Sequence, residues 1–393
     1  MTDMQRPVRA FVQLSYGYGA TNWHTRWKDG RLLGVNEEYA YGYQRAAEPG
    51  FSVTQSEDER ERLPGRAIRY AVRLLLGFDF VHAWRNRSGI WNSDIVWTHT
   101  EAQSMAVLLL FRLYPWRRHP RIIAQSVWLL DRWAHESRKN RLIFRALLSR
   151  ADVLTFHSPC NRAAAARLFP GTRTELVEFG IRADDMIVRP PRPARQTIRV
   201  LSLGNDRHRD WETLLRATAE LPCRLTIATT DPAARRRIAR YGHATLASLK
   251  NNADLLALYD QADLVVVPLG PNLHASGLTT IQEAITRGVP VITTDVGGLR
   301  HYFDHDAVTY VPPGDIAALA HAITDLAADP PRQAAMTANA QRRMRECLNS
   351  QTYAARHVAL SYELLTLQPD AVHHPEPATQ DRRATHHYAG AVP

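Results

Sequence analysis

His274-Ala275-Ser276-Gly277 precedes an apolar-periodic run of Leu278, Ile281, Ala284 and Ile285, which stops at Gly288 and resumes as the short apolar stretch Val289 to Ile292. The pattern predicts a loop, a helix, a glycine stop and a buried strand. Backbone N–H groups at a helix start have no intrahelical acceptor and lie at the positive end of the dipole. A diphosphate can therefore rest against Ser276, Gly277, Leu278 and Thr279, with Gly277 permitting close approach. Glu283 falls one to two turns further on, where a carboxylate can accept paired hydrogen bonds from vicinal hydroxyls such as those of a ribose. The chemistry expected here is the binding of a nucleotide diphosphate.

At these residues the chain resembles the GT-B glycosyltransferases, and within them the retaining group called family 4. The signature of that group is Glu, seven residues and Glu, continuing as E-A-x-x-x-G-x-P-V-I with a later G-G. Glu283-Ala284, Gly288 to Ile292 and Gly297-Gly298 match it. The resemblance makes Glu283 the ribose ligand. The first Glu, which in the family touches the donor sugar, falls on Ala275, or on His274 if the loop carries one extra residue. Implied with it are an α/β fold of the GT-B type, two Rossmann-like domains facing a cleft, and transfer from a nucleotide sugar with retention. A UDP-sugar is the favoured donor. The implied scheme needs no metal and no cofactor.

Further candidates sit at the ends of other apolar runs. Gly17 and Gly19 follow the first strand pattern, where the resemblance brings a glycine loop near the donor phosphates. Gly204, Arg207 and Arg209 follow the strand pattern Ile198 to Leu203. Family 4 carries Gly-Arg and then Lys-Gly at this point, so the two Arg side chains are assigned to the diphosphate, which suits their planar fork. His99 and Glu101 end the pattern Asp94 to Glu101, the strand edge where open α/β sheets place ligands. They are candidate catalytic or acceptor groups. Asp131 is a third candidate, with first-turn helix acid as the simpler reading. The His that many family-4 enzymes carry after this strand is replaced by Val127 and Trp128.

The elements that must position these residues divide the chain. Residues 1–183 read as an N-terminal, acceptor-binding Rossmann-like domain, 184–197 as a proline-rich linker, and 198–350 as the nucleotide-sugar domain. The resemblance sends the last helix, 352–366, back to the first domain. Residues 368–393 read as a disordered tail. Phe78 to Trp84 reads as a strand, and 51–64, with its charged run Glu57 to Arg62, as a surface helix or loop.

At 393 residues and 45% hydrophobic content, the chain is long enough for two or three cored domains. Three widely spaced cysteines, Cys160, Cys223 and Cys347, suggest neither a disulfide framework nor a metal cluster. With no signal-peptide pattern and no long apolar run, the expected location is the cytoplasm, on the inner face of the membrane. Net charge is +10, carried almost wholly by Arg, since Lys occurs only at 28, 139 and 250. An anionic partner fits this balance. Arg112, Trp116, Arg117, Arg118 and Arg121 form a cationic and aromatic stretch suited to an anionic membrane surface. Eight of the nine Trp precede residue 134, in the domain assigned to the acceptor. The expected acceptor is a lipid-linked oligosaccharide of surface polysaccharide or glycolipid synthesis. The alternatives are a soluble small-molecule acceptor or a sugar-nucleotide epimerase of the same fold. Nucleic acid is not an expected partner, because the Arg residues are dispersed and no recognition motif occurs.

Overall fold

The computed structural model describes residues 6–365 except 191, 192 and 194. Twelve strands among them form two six-stranded sheets. The first contains β1 (Val8–Gln13), β2 (Phe51–Gln55), β3 (Ile95–Thr98), β4 (Arg121–Gln125), β5 (Val153–Phe156) and β6 (Thr174–Leu176). Its order is β2-β1-β3-β4-β5-β6. The second contains β7 (Ile198–Leu203), β8 (Cys223–Ala228), β9 (Ala244–Leu246), β10 (Leu264–Val267), β11 (Val291–Thr294) and β12 (Thr309–Val311), ordered β12-β11-β10-β7-β8-β9. Every pairing is parallel.

All-parallel sheets need helices over both faces, so their inner strands are apolar on both sides. Ile-Val-Trp-Thr in β3 and Leu-Val-Val-Val in β10 are buried at every position. Alternate residues feed separate cores. Val96 packs with Phe11 and Phe111 on one face, while Ile95 and Trp97 pack with Val12 and Tyr43 on the other. In the second sheet Val265 and Val267 lie with Ile281 and Tyr302, and Leu264 and Val266 with Leu214 and Ile323. Two doubly covered sheets of this kind are two Rossmann-like units, the GT-B arrangement.

The last described helix, Ser350–Leu365, leaves the second sheet and packs on the first. Tyr353, Ala354, Val358 and Leu360 join the core of Val12 and Trp97, and Trp97 Nε1 donates to Ser361 Oγ at 3.0 Å. The tail 368–393 lies outside the described residues.

Two local expectations are corrected. Phe78 to Trp84 is no strand: Phe80–Arg85 is a helix, because Asp79 caps it, accepting from His82 N at 3.1 Å, and Phe80, Ala83 and Trp84 share its inner side. Within 51–64, Phe51–Gln55 is an edge strand beside β1, its Phe51 and Val53 pointing inward. Phe51 and Val53 stand at period two, as a half-buried strand requires, and the charged run Glu57 to Arg62 only follows it.

Candidate active site

The strongest feature is a buried cation at a helix start. Gly277, in left-handed conformation (φ +84°), precedes the helix Leu278–Thr286. Against it lies the Arg209 guanidinium. Nε donates to Leu203 O at 2.8 Å, Nη2 to Thr280 Oγ1 at 3.1 Å and Nη1 to Ser276 Oγ at 3.4 Å. A Cβ on Gly277 would meet Val267 Cγ1 at 2.6 Å and Arg209 Nη1 at 2.9 Å, and one on Gly204 would collide with Arg209 Nε. The two glycines are thus the space in which the guanidinium sits. Among the described residues no carboxylate pairs with Arg209, and burial lowers its pKa to about 10. A buried charge without an ion partner is costly unless an anion arrives. The amides of Gly277, Thr279 and Thr280 have no acceptor among the described residues, and they point the same way as the dipole.

The other assigned phosphate groups are disposed differently. Ser276 N donates to Asn272 Oδ1 at 3.1 Å and Leu278 N to Ala275 O at 3.2 Å, so neither amide is free for a phosphate. Arg207 is exposed, its Nε 3.2 Å from His208 Nε2. Gly17 N and Gly19 N donate to the two oxygens of Asp58 at 2.9 and 3.0 Å. The glycine loop after β1 does form an anion nest, but the chain's own carboxylate fills it. Glu57 likewise accepts from Thr21 N at 3.1 Å in the first turn of the next helix.

Glu283 is half-buried with both oxygens engaged. Oε1 accepts from Val35 N at 3.2 Å and Oε2 from Tyr259 OH at 2.8 Å. Burial raises its pKa. Val35 belongs to a segment of the first domain that is pinned to the second by Asn252, whose Oδ1 accepts from Gly34 N and whose N donates to Gly30 O, both at 2.8 Å. Both oxygens of the expected ribose ligand thus already accept hydrogen bonds from the chain itself.

His274, at or beside the place of the family's first Glu, is a bridge. Its Nδ1 lies 2.7 Å from Asp131 Oδ2 in the first domain and its Nε2 2.8 Å from Asp206 Oδ2 in the second. Asp131 Oδ1 also accepts from Leu273 N at 2.6 Å. Burial opposes a charged ring, but the two carboxylates outweigh it and raise the His274 pKa to about 9. Burial opposes ionisation of Asp206 as well, yet its bond to His274 holds it far below the usual carboxylate range. Asp131 is a first-turn acid of the helix Leu129–Arg132, as expected, but its carboxylate is engaged by His274 and Leu273 N. Ligand atoms of Asp131, His208 and His274 lie within 4.8 Å of one another, a spacing open to a metal ion. Both His274 nitrogens already serve carboxylates, which leaves no lone pair for one.

The remaining candidates line a cavity of about 340 Å³ at the carboxyl edge of the first sheet, with Tyr16, Tyr18, Tyr41, Arg73, Trp128 and Arg132 among its walls. His99 forms part of the floor. Its ring stacks on Tyr41, centroids 3.4 Å apart, and its Nδ1 is 3.0 Å from Tyr43 OH, which is 2.8 Å from Tyr353 OH. Burial, then the nearby His157 and His357, hold its pKa well below the ordinary value, so the ring is neutral at pH 7. Tyr41 is held at φ +56°, a conformation costly for a non-glycine residue. Glu101 lines the cavity but uses its carboxylate on the loop after β4, accepting at Oε2 from Val127 N at 3.0 Å and Trp128 N at 3.3 Å. It positions that loop. Sequence reading missed Tyr41, Tyr43, Asp206, Tyr259 and Asn252. Only Asp206, beside Gly204 in a turn, carried a local signal.

The cation-rich stretch at Arg112 to Arg121 is at the opposite edge. Arg121 begins β4 and pairs with Asp152 at 2.8 Å, whereas His99 and Glu101 follow the far end of β3. Trp116 is 75% exposed there, and Arg117 lies over the Trp91 ring at 5.5 Å. No helix among the described residues is long and apolar enough to cross a membrane.

Two Rossmann-like units, with an anion-seeking helix start in the second and a polar aromatic cavity in the first, have the GT-B fold. Residues 241–343 match the family model described as glycosyl transferases group 1. Among solved structures, sucrose-phosphate synthase from Thermosynechococcus elongatus superposes with a TM-score of 0.69 at 21% identity, covering 91% of this chain and 99% of that one. HepE from Anabaena in complex with UDP-glucose gives 0.64 at 13% identity, covering 91% and 99%. A UDP-forming α,α-trehalose-phosphate synthase from Burkholderia xenovorans gives 0.61 at 14%, also covering 91% and 99%. No curated protein matches the chain in sequence.

Proposed function

We propose that the protein transfers a sugar, with retention, from a UDP-sugar to a hydroxyl of a lipid-linked saccharide held in the first-domain cavity. The observation that carries the donor half is Arg209, a buried guanidinium without a carboxylate partner at the start of the helix Leu278–Thr286. A diphosphate there gains that charge and the free amides of Gly277 and Thr279. In the transfer, the bond from the anomeric carbon to the β-phosphate oxygen breaks and a bond to the acceptor oxygen forms. The acceptor proton passes to the leaving diphosphate, whose new charge Arg209 and the helix start stabilise without a metal. HepE, a structural neighbour, is described as a complex with UDP-glucose, which supports the choice of base.

For the acceptor, the cavity walls of Tyr16, Tyr18, Tyr41 and Trp128 offer faces for sugar rings. The net charge of +10 supports attraction to an anionic membrane. A second reading is a soluble phosphorylated sugar, favoured by Arg73 and Arg132 in the same cavity wall.

The test is thermal stabilisation by UDP-, GDP- and ADP-sugars on the parent and on Arg209→Ala. Charge-assisted hydrogen bonds are worth about 1.5–3 kcal/mol, so the variant should bind about 10- to 100-fold more weakly. Equal stabilisation of both proteins, or of neither, would remove the donor site from this place. Product analysis with UDP-sugar alone separates transfer from epimerisation.

A further inference from the structure

The helix Leu63–Leu76 turns Gly65, Arg69, Val72 and Leu76 inward and leaves most of its apolar residues outside. Arg69 is its one buried residue: Nε binds Glu61 Oε1 at 2.8 Å, Nη1 binds Asp79 Oδ2 at 2.7 Å, and the guanidinium lies 3.9 Å from the Tyr16 ring centroid. At 100° per residue, Leu63, Ala67, Ile68, Ala71, Leu74 and Leu75 fall on one continuous outward arc, with Tyr70 and then Arg66 at its margin. The exposures agree: Leu63 82%, Leu74 86%, Leu75 69% and Ile68 60%. A helix that merely covers a core shows the reverse arrangement, so this face is built for an apolar environment outside the molecule.

Charge selects the occupant. The helix exposes Arg66 and Arg73 and carries no acid, with the exposed Arg62 just before it. Two copies meeting on this face would bring Arg66 and Arg73 against their equivalents with no helix acid to neutralise them. An anionic bilayer satisfies both parts, taking the Leu and Ile side chains into its interface and the Arg groups among its phosphates. Arg69, Arg73 and Gly77, which lie off that arc, also line the cavity that holds His99, so the helix stands between the cavity and its own apolar face.

We infer that the helix Leu63–Leu76 is an interfacial anchor that docks the first domain on an anionic membrane, with the acceptor cavity behind the helix. This rests on the lipid-linked acceptor proposed above and identifies the docking face as the cleft edge, not the Arg112–Arg121 edge. The decisive experiment is co-sedimentation with phosphatidylglycerol-containing and pure phosphatidylcholine vesicles, using the parent, Leu74→Glu/Leu75→Glu, and Trp116→Ala/Arg117→Ala/Arg118→Ala. The parent should bind the anionic vesicles, the first variant at least about tenfold more weakly, and the second nearly as well as the parent. Circular dichroism and an unchanged shift with UDP-sugar show that the first variant remains folded. Parent-like vesicle binding by Leu74→Glu/Leu75→Glu overturns the inference. So does a parent dimer that this variant converts to monomer, since a second copy would then cover the face. The donor reading is judged separately: absence of any UDP-sugar shift in the parent sinks the transferase scheme while leaving the vesicle result intact.

Discussion

Arg209 and His99 show how differently burial acts on two basic groups in one protein. For Arg209, burial removes water but not the charge, so the residue waits for an anion. For His99, burial and two neighbouring imidazoles remove the charge, leaving a neutral ring fixed by Tyr41 and Tyr43 with Nε2 as the ring nitrogen not bound by Tyr43. A neutral, oriented imidazole can accept from or donate to an acceptor hydroxyl without trapping the diphosphate electrostatically. His99→Ala should lower kcat by about 100-fold, within the range for a positioned proton-transfer group, and leave the UDP-sugar shift unaltered. Parallel kinetics and melting curves would check both parts, and a changed donor shift would mean that the substitution had disturbed more than the cavity floor. Glu101 illustrates the opposite outcome: its type and strand-end position suggested chemistry, but the amides of Val127 and Trp128 claim its carboxylate.

Among the elements, the segment from Gly30 to Asn36 lies against Glu283. It is held by the two bonds to Asn252 and by the Val35 amide on Glu283. A ribose bound on Glu283 would carry the cost of lifting it, and apparent affinity would scale with the fraction of molecules in which it is already lifted. Asn252→Ala removes the bond to Gly34 N, worth about 1 kcal/mol, and should tighten UDP-sugar binding up to about fivefold. Calorimetric titration of the two proteins would show it, and weaker binding by the variant would mean that the closed segment is part of the donor site. The Gly17–Gly19 turn is the companion case. Its amides were legible as an anion nest, but nothing in the local sequence told that Asp58, some forty residues on, would occupy it.

Across the whole molecule, the two sheets are joined by polar contacts that cross the cleft. Asp131 reaches His274, Ser158 Oγ donates to Gly297 O at 2.9 Å, and Tyr302 OH donates to His157 O at 2.6 Å. Only the first of these joins an imidazole to a carboxylate. The folded pKa of His274, about 9, is above the ordinary value of about 6.5, so its contribution is complete below about pH 6.5 and is lost as pH rises through about 9. Stability from urea unfolding should therefore fall by a few kcal/mol between pH 6.5 and 10, and His274→Asn should be less stable at pH 6.5 and flatter across the range. A parent profile as flat as the variant's would show that the bridge does not couple the domains. The sequence alone determined the two βα sheets, because strands buried on both faces must be apolar throughout and glycine must stand where a helix begins or stops, and both rules act over a few residues. It also gave the helix start at Gly277 and the cation at Arg209. Only the tertiary structure decided which donors are already taken, as at Gly17 and Glu283, which acids meet His274, and which side of Leu63–Leu76 faces outward. Those outcomes depend on groups tens to hundreds of residues apart, whose contacts no local spacing encodes.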